Sequence, residues 1–346
     1  MAAIPPQLIG QSPAWLATLD QISGAAALDR SMLVIGERGT GKELAAARLH
    51  FLSPRWEKAY VALNCAALSE DLLDSELFGH EAGAFTGASK RRAGRFERAN
   101  GGTLFLDEIA SASARVQEKL LRVIEYGELE RLGGEQTIKV DVRVIGAANV
   151  DLPAAAKAGN FRADLLDRLA FDVITLPPLR VRREDIVMLA EHFARKMTAH
   201  LGADSFPGFT PDVLGFLRSY DWPGNVRELK NAAERAVGRA FNEEGGLRAP
   251  ISQIEIDPFA SPWRLEEDTL QGAPDGDSVP AQDLSAAPTM PKPKIRDFEA
   301  QTFAYELSII THALAVHDNH QGRAAKALGL TYHQFRGLLR KHGLKK

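Results

Sequence analysis

The stretch Met32-Leu33-Val34-Ile35-Gly36-Glu37-Arg38-Gly39-Thr40-Gly41-Lys42-Glu43 decides the fold. Its first four residues are a short apolar, partly β-branched run, which predicts a buried parallel strand. From Leu44 to Leu52, apolar and alanine residues at helical spacing predict a helix. Between strand and helix, glycines at G-x-x-x-x-G-K let backbone N–H groups converge on phosphate oxygens without Cβ clashes, and the helix N-terminus adds partial positive charge. Lys42 then reaches the β- and γ-phosphates. Glu43 stands where the pattern expects Ser or Thr, so the hydroxyl that usually touches Mg²⁺ is missing and the loop alone does not establish catalysis. The plainer alternative is a glycine-rich turn without nucleotide; a strand before it and a helix after it favour the phosphate cradle.

A second signal lies in Gly101-Gly102-Thr103-Leu104-Phe105-Leu106-Asp107-Glu108. An apolar strand delivers two adjacent carboxylates to the carboxyl edge of a sheet, where α/β proteins bind ligands. Asp107 is suited to hold Mg²⁺ through water and Glu108 to orient and deprotonate an attacking water. Tyr60 to Leu63 predicts another strand, ending in Asn64-Cys65; Asn64 sits at a ligand-binding edge but equally well caps the helix after it. Cys65 reads as a small buried apolar residue. Val140 to Ala147 and Phe171 to Leu176 complete a set of five strands alternating with helices, the former ending at Ala148-Asn149. Helical patterning from Glu184 onward predicts a helical segment after the sheet, so the expected fold is an α/β P-loop NTPase with a parallel five-stranded sheet.

Between the strands, Ser69 to Phe78 is amphipathic, with Leu72, Leu73, Leu77 and Phe78 on one side. Gly83-Ala84-Phe85-Thr86-Gly87-Ala88 surrounds one aromatic with small residues, which predicts an exposed mobile loop tipped by Phe85 and Thr86; a hairpin that buries Phe85 is the alternative. Lys90-Arg91-Arg92 reads as a solvated face. Ala114 to Glu125 predicts a helix and Glu128 to Glu135 a turn-rich insertion. Arg162 and Arg168 would stand about 120° apart on a continuous helix, so they are surface arginines unless a loop precedes that helix. Asp221 to Leu229 predicts a turn, a cap at Asn225 and a helix whose first turn holds Arg227; a cation there opposes the helix dipole and hints at a partner anion. Ser12 with Pro13 predicts a capped helix in the lead-in. Trp56 is a candidate docking aromatic, with a half-buried structural Trp as the plainer reading.

The chain has 346 residues, 45% hydrophobic and 25% charged, which suits a globular protein of two or three domains. Its apolar runs are too short for a membrane span, no secretory leader pattern opens it, and a single cysteine rules out an internal disulfide, so a cytoplasmic protein is expected. No His/Cys cluster has metal-ligand spacing. Asn319 to Lys346 holds seven Lys/Arg and no acid, leaving a charge of −10 on the rest against a net −3; a basic tail on an acidic body predicts a separate nucleic-acid contact.

Taken in order, GERGTGKE, GAFTGA, GGTLFLDE, FRADLLDRL and WPGNVREL resemble the AAA+ domain of bacterial enhancer-binding proteins, the activators of sigma-54 RNA polymerase. The resemblance covers about Ile9 to Phe241, and a Fis-like helix-turn-helix follows it. GAFTGA is highly specific to this family, whereas the others are shared among AAA+ ATPases. It implies ATP and Mg²⁺ as cofactors, with Gly36, Glu37, Arg38, Gly39, Thr40, Gly41, Lys42, Glu43, Asn149 and Arg227 around the nucleotide, and Arg227 as second sensor. Asn64 becomes a switch that holds Glu108, and Arg162 and Arg168 become fingers for a neighbouring subunit's γ-phosphate in a hexamer. Gly83, Ala84, Phe85, Thr86, Gly87 and Ala88 become the sigma-54 contact, with Leu129 to Thr137 as a companion loop. Glu43 is usual in this family; Ala148 departs from the Thr that often precedes the sensor Asn. With few residues ahead of the phosphate loop, control is expected from a separate inhibitor such as PspA, contacting Trp56, and the targets are expected to be phage-shock-type stress genes.

The expected organisation is a nucleotide-binding subdomain over 1–176, a lid over 177–256, a disordered linker over 257–294 and a DNA-binding domain over 295–346. In the last, Phe303, Leu307, Ile310 and Leu314 line a helix suited to pairing with its copy. Ala324, Ala327, Leu328, Phe335, Leu338 and Leu339 can pack together, leaving Tyr332, His333, Gln334, Arg336, Arg340 and Lys341 for enhancer double-stranded DNA. Two rival functions remain open here: a nucleotide-gated DNA-binding regulator that does not hydrolyse, and a replication-initiator ATPase. Glu108 and the arginine pair count against the first, the Phe85 loop against the second.

Overall fold

The computed structural model describes residues 7–85, 87–242 and 246–259 and, towards the C-terminus, 303, 306, 307, 310–314, 317, 320–328, 330, 332–342 and 344. They fall into two compact units, within Met1–Leu265 and Glu266–Lys346. The first unit runs α1 (Pro13–Ala26), β1 (Met32–Ile35), α2 (Lys42–Phe51), β2 (Tyr60–Asn64), α3 (Glu70–Phe78), β3 (Gly79–His80), β4 (Arg92–Ala93), α4 (Arg95–Arg98) and β5 (Thr103–Asp107). It continues through α5 (Ala114–Tyr126), β6 (Glu128–Glu130), β7 (Thr137–Lys139), β8 (Arg143–Ala148), α6 (Leu152–Lys157), α7 (Ala163–Leu169) and β9 (Val173–Thr175). Helices α8 (Arg183–His200), α9 (Pro211–Ser219) and α10 (Asn225–Ala240) follow.

Five strands pair in parallel in the order β2-β5-β8-β1-β9. Both faces are covered, which is why the strands read as continuous apolar runs. On β1, Leu33 points into the cluster with Leu77, Leu120 and Leu165 of α3, α5 and α7, while Met32 and Val34 join Trp15, Ile22 and Leu49 of α1 and α2. In-register parallel pairing, Asn64 beside Asp107 and Ile35 beside Ala148, brings four strand ends to one edge. That edge carries the site.

Three details differ from the sequence-based expectation. Strand β8 starts at Arg143, and the segment 128–139 ahead of it is a β6–β7 hairpin rather than a turn-rich insertion. Arg143 is buried because its guanidinium donates to the carbonyls of Ala25 and Ala26 at the end of α1, where a cation is favoured. On α3, Leu72 is exposed and Asp74 takes the buried slot, its charge balanced by Lys119 at 2.8 Å and Arg115 at 3.3 Å. Ser12 does precede α1, but its hydroxyl donates to Asp185 Oδ2 (2.7 Å) instead of capping the helix.

The lid core gathers Leu189 of α8, Leu217 of α9, Leu229 and Val237 of α10, and Trp222. A buried polar knot ties the lead-in to α8. Asp185 accepts from the Gln11 and Ser12 amides and from Arg182 Nε (2.7, 2.8 and 2.8 Å), while Arg182 lies 3.7 Å over the Trp15 ring and donates to the Ile9 carbonyl.

In the second unit, helices over Gln321–Ala327 and Tyr332–Lys341 pack with residues 310–314 around Ile310, Ala313, Ala324, Ala325, Phe335 and Leu339. Ala325 rather than Ala327 turns inward, and Ile310 and Leu314 are spent on this core, while Phe303 stays half exposed against the His342 ring. The stretch read as a linker lies, beyond Phe259, outside the described residues.

Burial alone would raise the Asp185 carboxyl, but the Gln11 amide, the Ser12 hydroxyl and Arg182 hold it below the usual range. A lowered folded-state value contributes stability above the unfolded pKa of about 3.9, and that contribution disappears as pH falls through the folded value. Asp185→Ala, which leaves Arg182 buried without its anion, is expected to cost about 3–5 kcal/mol in urea unfolding. Asp185→Asn should lose the part of the acid-side decline in stability below about pH 4 that belongs to this group.

Candidate nucleotide site and effector loop

The phosphate loop is shaped by two left-handed glycines, Gly39 (φ 80°) and Gly41 (φ 98°). A Cβ on Gly39 would lie 2.2 Å from the Gly224 carbonyl oxygen, so only glycine lets loop and lid meet there. Thr40 Oγ1 donates to the Glu37 carbonyl (2.8 Å), and Lys42 Nζ donates to the carbonyls of Gly36 and Glu37 (2.8 and 3.1 Å). Burial pushes the Lys42 ammonium below its ordinary value, and the carboxylates of Asp107 and Glu108 pull it back up. That field reaches Lys42 from a strand two places away across the sheet.

Asp107 ends β5 with one carboxylate oxygen accepting the Glu108 amide (3.0 Å) and the other 3.4 Å from Asn64 Nδ2. Asn64 therefore faces Asp107 rather than Glu108, and its Oδ1 also accepts from the Ala66 amide as a cap. Glu108 has left-handed backbone (φ 51°), a conformation that costs about 1–3 kcal/mol in a non-glycine residue and marks functional turns. Cys65, next to Asn64, is inert: burial first, then Asp107 and Glu108, push its thiol up to about 12. Asn149 follows the last residue of β8, and the fully buried Ala148 puts a methyl where a Thr would bring a hydroxyl.

The lid supplies the other wall. Gly39, Thr40, Gly41, Lys42, Asp107 and Arg227, with Leu8, Ile9, His192 and Phe193, line one cavity of about 740 Å³. Arg227 enters it from the first turn of α10, and its amide donates to the Gly39 carbonyl (3.3 Å). Asn225 is not the cap expected from sequence. It is the first residue of α10, fully buried with φ 54°, and Gly224 precedes it as the cap. Its side chain accepts from the Leu179 amide (2.8 Å) and donates to Glu37 Oε2 and the Arg38 carbonyl (3.0 Å each). Arg180 adds a bidentate pair to Glu37 (2.8 and 2.5 Å), and these bonds from Arg180 and Asn225 hold the Glu37 carboxyl at about 2. Asn225 and Arg180 were missed in the sequence because their partner is 188 and 143 residues away; the only trace was an Asn at a tight turn.

Arg162 and Arg168 stand outside that cavity. Arg162 lies in extended backbone just before α7 and pairs with Asp164 (2.7 Å), while Arg168, in the last turn, pairs with Glu125 (2.7 Å). Arg162 is half exposed and Arg168 exposed. The loop 81–91 leaves the β3–β4 hairpin as a folded turn, with bonds from the Gly83 amide to the Ala88 carbonyl (2.7 Å) and from the Ala88 amide to the Phe85 carbonyl (3.0 Å). Phe85 is neither a free tip nor a core residue: it is 44% exposed, with its ring edge-on to His80. Thr86 lies outside the described residues. The β6–β7 hairpin joins this base, the Glu81 amide donating to the Leu132 carbonyl and the Leu132 amide to that of Gly79 (3.0 Å each). Trp56 sits half exposed in the turn after α2.

In the second unit, Tyr332, Gln334, Arg340 and Lys341 are exposed on the last helix, whereas Arg336 is half buried. Lys341 is engaged with Glu306 (2.7 Å), and the side chain of residue 333 lies outside what is described.

Residues 8–175 match the family described as the Sigma-54 interaction domain, and residues 180–245 match the AAA+ ATPase lid domain. The chain is 53% identical to the Psp operon transcriptional activator of Escherichia coli strain K12 over 99% of each chain. It is 54% identical to the transcriptional regulatory protein ZraR of Salmonella typhimurium, over 66% of this chain and 52% of that one. A crystal structure of NtrX from Brucella abortus in complex with ATP superposes with a TM-score of 0.66 at 27% identity, covering 97% of this chain and 70% of that one. With the phosphate loop, the paired carboxylates, the lid contact and the GAFTGA turn in one unit, the chain belongs to the sigma-54-dependent AAA+ transcriptional activators.

Proposed function

We propose that the chain hydrolyses ATP in a homo-hexameric ring bound at enhancer DNA, and uses that hydrolysis to remodel sigma-54 RNA polymerase holoenzyme at phage-shock-type promoters. One observation carries this reading. Lys42, Asp107 and Arg227 converge on a single cavity, while Arg162, half exposed, and Arg168, exposed, are not among its lining residues. A site with its cradle in one subunit and its fingers on another is complete only on assembly.

In this scheme the loop amides and Lys42 bind the phosphates, Arg227 senses the γ-phosphate from the lid, and Asn149 faces it from the position just past β8. Glu108 orients the attacking water and takes its proton. Asp107, at the end of β5 with Glu108 next to it, offers carboxylate oxygens, a hard donor set that fits an ion which keeps most of its waters. Mg²⁺ would be held there by Asp107 through water and would neutralise phosphate charge. Asn64, bonded to Asp107, is in position to register changes at the carboxylate pair and pass them toward α3 and the Phe85 loop.

Gly83 to Ala88 would then carry the sigma-54 contact, with the 128–139 hairpin as its companion. The exposed polar face of Tyr332–Lys341 would take phosphates and base edges of the enhancer, with the C-terminal unit pairing the chains. Trp56 is available to an inhibitor such as PspA. Among the described residues no helix is long and apolar enough to cross a membrane, which is compatible with a cytoplasmic, nucleoid-associated regulator.

Phosphate release tests the hydrolysis directly. Glu108→Gln should bind ATP normally and release phosphate at least 100-fold more slowly, the scale of a lost general base; an unchanged rate would remove Glu108 from the reaction. Arg168→Ala should be almost inactive alone yet bind ATP. Mixed with an excess of Glu108→Gln chains, it should regain partial turnover, because each Arg168→Ala cradle then borrows a neighbour's intact finger. Asn225→Ala, which strands the Leu179 amide and loosens Glu37, should weaken ATP binding roughly 10-fold in titration calorimetry.

A further inference from the structure

His80 closes the two-residue strand β3, opposite Arg92, at the point where the 81–91 loop leaves the body. It is buried, and Ser75 Oγ on α3 holds its Nδ1 at 2.8 Å, so the ring has a fixed orientation. The ring of Phe85 meets it edge-on, centroids 5.0 Å apart and planes at 69°, the arrangement aromatic quadrupoles favour. Around this pair the loop is closed by the Gly83–Ala88 and Ala88–Phe85 backbone bonds. On the far side stands Gly133 of the companion hairpin, at φ 70°; a Cβ there would meet Ala84 Cβ at 2.8 Å. Glu81, the next residue, is fixed by Arg131, which also grips Glu97. Among the described residues of the loop, Gly83 and Ala88 are thus held by backbone bonds and Glu81 by charge, while the Phe85 ring meets the His80 ring.

We propose that His80 is a positioning residue: the seat on which Phe85 rests, and whose hold sets how readily the loop leaves its folded form. Part of the Phe85 ring is turned to His80 and not to a partner, so full engagement of sigma-54 would unseat it. Ser75 extends the seat to α3, the helix that follows the Asn64 turn, so a small movement of α3 would shift the ring under Phe85. The proposal rests on the reading of Phe85 as the sigma-54 contact, and its test separates the two.

Hydrogen exchange of the full-length chain, read on peptides covering residues 82–90, measures seating without any partner. His80→Ala should raise exchange of the Gly83 and Ala88 amides by about 2- to 10-fold, the weight of one aromatic pair, with β5 peptides unchanged. His80→Phe, which keeps a ring, should restore most of the protection, and Ser75→Ala should give an intermediate increase. Unchanged exchange in His80→Ala, or a rise spread equally over β5, would overturn the proposal, as would a failure of His80→Phe to protect better than Ala. Sigma-54 binding of the same variants then tests the underlying reading: faster exchange with no change in binding would keep the seat and remove Phe85 from the contact.

Discussion

The arrangement of the nucleotide site depends on one buried amide. Asn225 is fully buried at the start of α10, where its side chain accepts from Leu179 and donates to Glu37 and the Arg38 carbonyl. A buried primary amide has little tolerance for displacement, because each lost partner leaves a desolvated polar group. The lid is therefore docked on the phosphate loop through a short, directional set of bonds instead of a broad apolar seam. Gly39 makes the approach possible by having no Cβ between the loop and the Gly224 carbonyl. Arg227 follows from the same docking, since two residues further along α10 it lines the cavity.

A second polar knot acts at the other end of the lid. Asp185 draws the Gln11 and Ser12 amides, and Arg182 with Trp15 covers the lead-in where Leu8 and Ile9 reach the cavity. One cavity is thus bounded by the lead-in, the sheet edge and the lid, with the lead-in and the lid each fixed by a buried polar contact. Such contacts hold a geometry more than they add stability, which suits a site whose walls must respond to what is bound.

Much of this was readable in the sequence. Strand, glycine loop and helix around Lys42, and the apolar strand ending in Asp107 and Glu108, are local signals, and parallel register brings them to one edge with no further information. Details that depend on distant partners were not readable. Asn225 looked like a helix cap because its own neighbours are turn residues, while its partners are Leu179 and Glu37. Ser12 precedes its helix as expected but spends its hydroxyl on Asp185. Leu72 fits the helical stripe of α3, yet Asp74 is buried there because Lys119 and Arg115 neutralise it. The seat of Phe85 on His80 joins residues only five apart, but nothing in a run of glycine and alanine predicts that the ring folds back.

The central claim is that ATP turnover, and not nucleotide occupancy alone, is what this chain contributes to sigma-54 transcription. Its most direct test is promoter melting, followed by permanganate reactivity on a sigma-54 promoter with holoenzyme, the full chain and either ATP or a non-hydrolysable analogue. The account predicts an open bubble with ATP and none with the analogue. Equal melting with both would contradict it.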